Sequence, residues 1–241
     1  MEFKILATRI FASLVLFSCS SATEKTNKEV LKKPEIIETA SLVDNEFQNT
    51  IKLDKGFEIL VGGEEDFENF KTYTLFRLNK NGTQIYQDSS LTEYEFGDKL
   101  YPLSLPFANE KFGIMVEVND RPNKNYLKHF IIKDNKILKI EKLPTFISQA
   151  KNLDLDTDLE FAGFWDYPQT SSDGKGLEIT AYNPILYYHL KKNGLELDSA
   201  LTIERNTKIF GKFSGYEFKE SIEVPASTLA KHTAEVERVK K

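Results

Sequence analysis

From Ile51 onward the chain runs in short apolar or alternating stretches broken by Gly, Asn, Asp and Pro. A period of two puts successive side chains on opposite faces of an extended backbone, and runs this short are strands rather than helices. Strands are expected at 57–61, 72–78, 83–87, 112–118, 128–133, 137–143, 159–164, 177–181, 186–191 and 195–198, with further strands around 208–218. Helical periodicity is confined to the end, where Ser227 would cap a helix with Leu229, Thr233, Val236 and Val239 on one face. The expected fold class is all-β: antiparallel hairpins, propeller-like or sandwich-like, with a short C-terminal helix.

Three hairpins look alike. Phe76 and Leu78 precede Asn81-Gly82, Phe130 and Ile132 precede Asn135-Lys136, and Tyr188 and Leu190 precede Asn193-Gly194. Asn-Gly suits a tight hairpin turn because both central residues need positive φ. Their spacing of roughly 55 residues is near the length of one propeller blade, although any all-β chain reuses its commonest turn. The core should be aromatic, since 18 Phe and 10 Tyr stand against 2 Met and 1 Trp.

The N-terminus reads differently. Lys4 and Arg9 precede the apolar run 10–17, which ends at Leu16-Phe17-Ser18-Cys19. The run is far shorter than the roughly 20 apolar residues that span a bilayer as a helix, and it reads as an export signal. Leu16-Phe17-Ser18-Cys19 resembles the bacterial lipobox, with an aliphatic residue three before the cysteine and a small one directly before it. Phe17 departs from the commonest pattern. The resemblance implies a bacterial lipoprotein acylated at Cys19. Ser20, rather than Asp, after the cysteine implies transfer to the outer membrane of a Gram-negative cell. The expected organisation is therefore a signal peptide at 1–18, a lipidated N-terminus and flexible tether at 19–50, a β-rich domain at 51–225 and a helix at 226–241.

Cys19 is the only cysteine, which excludes an internal disulfide and a thiolate zinc site. The net charge of −5 argues against nucleic acid as a partner, because neutralising phosphates needs a basic footprint. The most informative stretch is Asn152-Leu-Asp154-Leu-Asp156-Thr-Asp158-Leu-Glu160. Alternate carboxylates supply oxygens at the spacing of the first ligands of a calcium loop. Asp154, Asp156, Asp158 and Glu160 are thus the candidate metal ligands, with calcium the candidate cofactor. Residues 152–164 resemble a degenerate Asp-rich loop of the FG-GAP and VCBS propeller repeats, lacking that loop's Gly. The same run could instead be a plain strand with one acidic and one apolar face.

Trp165, Asp166 and Tyr167 form the candidate ligand site, two amphipathic rings around a carboxylate. His129 and His189 fall in expected strands and His232 in the terminal helix, none at metal-ligand spacing. There is no Gly-x-Ser-x-Gly elbow, phosphate-binding glycine loop or His-Glu-x-x-His motif. The leading functional class is a non-catalytic envelope module, held to the membrane by lipid, that binds a protein, peptide or glycan. The contrary class is a secreted hydrolase of cell-wall or polysaccharide material using acids such as Asp166. A purely structural envelope protein is the third.

Overall fold

The structure, a computed structural model, describes residues 35–37, 46–88, 91–96, 100–172, 174, 176–179, 181–220, 222, 224–225 and 227–241. Cys19, the signal and the lipobox lie outside these residues. The fold is mainly antiparallel β. A first sheet has ten strands: β1 (Glu35–Ile37), β2 (Asn49–Lys52), β3 (Phe57–Phe67), β4 (Phe70–Lys80), β5 (Thr83–Asp88), β6 (Tyr94–Phe96), β7 (Leu103–Pro106), β8 (Phe112–Val118), β9 (Tyr126–Lys133) and β10 (Lys136–Pro144). The stretch expected to be tether thus contributes β1 to the sheet, paired with β2.

Two strands in this sheet split their partners. One edge of β4 pairs with β5 over Phe76–Lys80 and with β6 over Lys71–Tyr73. One edge of β8 likewise pairs with β6 near Val118 and with β7 over Phe112–Met115. The hairpin turns at Asn81-Gly82 (φ 49 and 75) and at Asp134-Asn135 (φ 51 and 59), the latter one residue before the expected Asn135-Lys136, hold positive φ at both positions, as Asn, Asp and Gly permit.

The smaller elements follow. β11 (Glu160–Gly163), β14 (Leu186–Lys191) and β15 (Gly194–Leu197) form a three-stranded sheet, and β12 (Thr170–Ser172) pairs with β13 (Leu177–Ile179). Helices α1 (Ser199–Phe210) and α2 (Thr228–Lys240) complete the fold. Of the two architectures the sequence leaves open, the sandwich-like one forms. The first two look-alike hairpins share the large sheet and the third lies in the small one, so they do not mark separate blades.

Three apolar clusters separate the layers. Alternate residues of β8 (Phe112, Ile114, Val116, Val118) join Phe57, Phe76, Tyr94 and Phe130 in the first. Met115, on the other face of β8, joins Leu127, Phe146 and Phe161 in the second, against Tyr188 and Leu190 of the small sheet. The opposite face of that sheet, with Ala162 and Tyr187, meets Leu201, Ile209, Phe210 and Val239 of the helices. Strand β8 is buried along its whole length because both of its faces are covered.

Of the strands expected around 208–218 none forms: residues 211–218 are irregular, and 208–210 belong to helix α1. Its buried face carries Thr202 and Asn206 beside Leu201, Ile209 and Phe210. Asn206 accepts the Ile185 N–H at 2.9 Å and donates to the Ile185 carbonyl at 2.7 Å, while Thr202 Oγ1 accepts the Tyr187 N–H at 3.1 Å. The helix therefore satisfies the backbone of β14 and of the residue before it with polar side chains, and that hides its apolar period. Helix α2 begins after the expected Ser227, whose side chain makes no capping hydrogen bond, and of the expected face it buries Val239 and packs Val236 against the core, while Thr228 and His232 take the inward places expected of Leu229 and Thr233.

Candidate functional site

The acidic run does not extend as a strand. Lys151 and Glu160 exchange backbone hydrogen bonds of 3.0 and 2.8 Å, closing residues 152–159 into a loop. Within it Asn152 Oδ1 accepts the Leu155 N–H at 2.6 Å, Asp154 Oδ1 the Asp156 N–H at 3.1 Å and Asp156 Oδ1 the Asp158 N–H at 2.7 Å. Short acidic side chains compete well for nearby backbone donors, and the alternation serves a chain of local turns. Leu155 takes φ 74 and is 95% exposed, which no half-buried strand would tolerate.

Glu160 is fully buried at the mouth of this loop. Its Oε2 accepts the Leu153 N–H at 2.7 Å and its Oε1 lies 3.2 Å from Nδ1 of His189, directly across the strand pair. Nε2 of His189 lies 3.2 Å from Asp198. Asp198 caps α1, accepting the Leu201 N–H at 2.9 Å. An imidazole between two carboxylates donates to both only when both nitrogens carry protons. Burial pushes the Glu160 carboxyl above its ordinary value, while the Leu153 N–H and His189 oppose that shift.

The four expected metal ligands divide into two overlapping groups. Asp154, Asp156 and Glu160 bring oxygens within 4.8 Å of one another, and Asp156 and Asp158 do the same with His189. Asp158 is paired with Lys191, whose ammonium holds that carboxyl below its usual range. The converging oxygens of Asp154, Asp156 and Glu160 are the ones a hard cation could use. His189 was invisible as a member of the group because strand pairing, not sequence spacing, brings it there.

Trp165, Asp166 and Tyr167 follow β11 after Phe164. Tyr167 is 54% exposed, and Asp166 Oδ1 accepts the Tyr167 N–H at 2.7 Å. The Asp166 carbonyl accepts from Asn183. Asp166 thus stabilises its own turn.

A second carboxylate centre escapes sequence reasoning altogether. Glu95 and Glu117 face each other across β6 and β8, 1% and 6% exposed. Like charges directly opposite repel, and here Asn125 Nδ2 bridges them at 2.8 and 2.9 Å. Arg121 reaches Glu95 at 2.6 Å while lying 3.7 Å over the Phe70 ring. Neighbouring Lys124 is drawn by burial down to about 8, with Glu117 and Asp166 opposing that shift.

The opposite end of β8 and β9 is concave. A cavity of about 750 Å³ opens among the turns there, with Phe57, Phe107, Phe112 and Ile132 in its wall. A second of about 560 Å³ adjoins it, sharing Lys80 and Asn135. No helix of the described residues is long and apolar enough to cross a membrane. No family model matches the chain, and neither curated proteins nor solved structures yield a match.

Proposed function

We propose that the chain is a lipid-anchored cell-envelope protein that binds a ligand without transforming it. The observation that carries binding is the aromatic-walled cavity at the turn end of the large sheet, concave and of a size that suits ligand sites. The best-buried acids support a non-catalytic reading. Glu95 and Glu117 are tied to Asn125, and Glu160 to Leu153 and His189, so they brace strand pairs and a loop. Anchoring rests on the sequence alone, on the basic n-region, the apolar run 10–17 and Cys19. A diacylglycerol thioether with an acylated amine would hold firmly, since each buried methylene contributes about 0.8 kcal/mol.

Replacing Cys19 with Ala tests the anchor. The wild-type protein should incorporate labelled fatty acid and fractionate with the outer membrane, whereas the variant should lose the label and the membrane association. A Cys19→Ala protein that stays membrane-bound at unchanged mass would overturn the lipoprotein reading.

A further inference from the structure

We infer that the cavity at the turn end of the large sheet is a binding site for a small organic anion with an apolar body. The inference deepens the binding reading above by naming the ligand's chemistry. Its wall is apolar: Phe57 and Phe112 lie 5.2 Å apart, centroid to centroid, beside Phe107 and Ile132. Its rim is basic. Lys55, Lys80, Lys111 and Lys133 line it, and none of the four makes an ion pair among the described residues. In a chain of net charge −5, this gathering of unpaired ammonium groups runs against the overall balance.

The groups that hold Lys80 and Lys111 are neutral. Lys80 donates to the Lys55 carbonyl and sits 4.2 Å above the Phe57 ring, and Lys111 donates to the Asn193 carbonyl at 2.7 Å. A carbonyl or ring face orients an ammonium group without cancelling its charge. Glu110 and Asp134 also line the cavity, leaving the lysines in excess. A carboxylate, sulfonate or phosphate entering here meets several donors, while its apolar part displaces water from the aromatic wall. At about 750 Å³ the space takes a drug-sized molecule rather than a folded partner.

The test is a titration of the full chain, reconstituted in neutral phosphatidylcholine vesicles, with naphthalene-2,6-dicarboxylate. The vesicles alone serve as blank and 2,6-bis(hydroxymethyl)naphthalene as the uncharged analogue. The dianion should bind at least tenfold more tightly than the analogue, and its affinity should fall as salt is raised, because exposed charges are screened. A Lys80→Gln, Lys111→Gln double variant should weaken binding by tenfold or more, while Lys212→Gln, away from the cavity, leaves it unchanged. Bound dianion should also slow acylation of Lys80 and Lys111 relative to Lys212, as read by mass spectrometry. Equal binding of dianion and uncharged analogue, an unaltered double variant of native circular dichroism, or unprotected lysines would each overturn the inference. Failure here leaves the acylation of Cys19 standing, since that reading is tested by fatty-acid labelling.

Discussion

At the residue scale, buried and half-buried charges are held by specific partners, and the pairing of His129 with Glu141 shows this most plainly. His129 is fully buried, its Nδ1 is 3.0 Å from Glu141, and Lys139 reaches the same carboxylate at 2.5 Å. The hydrogen bond from His129, aided by Lys139, holds the Glu141 carboxyl down at about 2, against an ordinary value of 4.5. A depressed acid contributes stability that is fully present above its unfolded value and is lost as pH falls through the folded one. Urea unfolding should therefore show stability declining from about pH 4.5 towards about pH 2. Glu141→Gln should lower stability near neutral pH by about 1–3 kcal/mol and flatten that acid limb. An unchanged acid limb in the variant would show that other carboxylates control it.

At the element scale, the acidic loop, β14 and α1 are coupled through His189 and Asp198. Asp198 serves twice, as the cap of α1 and as a partner of His189. Asn caps about as well as Asp, and loss of the cap costs about 1 kcal/mol. Asp198→Asn should thus retain most of the helix stability while losing the charge beside His189, and Asp198→Ala should lose both. Equal destabilisation by the two substitutions would assign the whole effect to charge. The loop itself is braced from α2, where Arg238 donates to the Leu153 carbonyl at 2.9 Å. Melting curves of the full chain in millimolar calcium and in chelator decide whether its carboxylates also hold a cation. A native-state ligand at a hundred times its Kd adds about 2.7 kcal/mol, a shift of a few degrees. That shift should vanish in an Asp154→Asn, Asp156→Asn double variant if the calcium expectation holds. Superimposable curves mean that the Asx turns alone shape the loop.

At the scale of the whole molecule, the described residues form a split-partner sheet, a small second sheet and two helices around three apolar clusters. The β class and the C-terminal helix were legible in the sequence because period-two runs and Asn-containing turns are local signals. Strand β8 forms over the residues its apolar run predicts, and the turn at Asn81-Gly82 adopts the expected positive φ, whereas the turn expected at Asn135-Lys136 forms one residue earlier, at Asp134-Asn135. Helix α1 was hidden because Thr202 and Asn206 face inward to bond the backbone of Tyr187 and Ile185, a polar burial that mimics a solvent face in one dimension. The acidic stretch could be read as loop or strand because alternation supports both, and the backbone bridge between Lys151 and Glu160 is what closes it. Local spacing thus determined which segments extend and which turn. Only the tertiary structure decided that Glu95 meets Glu117, that His189 joins the acidic loop, and that four lysines distant in sequence ring one cavity. These groupings depend on which strand edges pair and which turns gather at one end, and contacts between distant residues leave no periodicity along the chain.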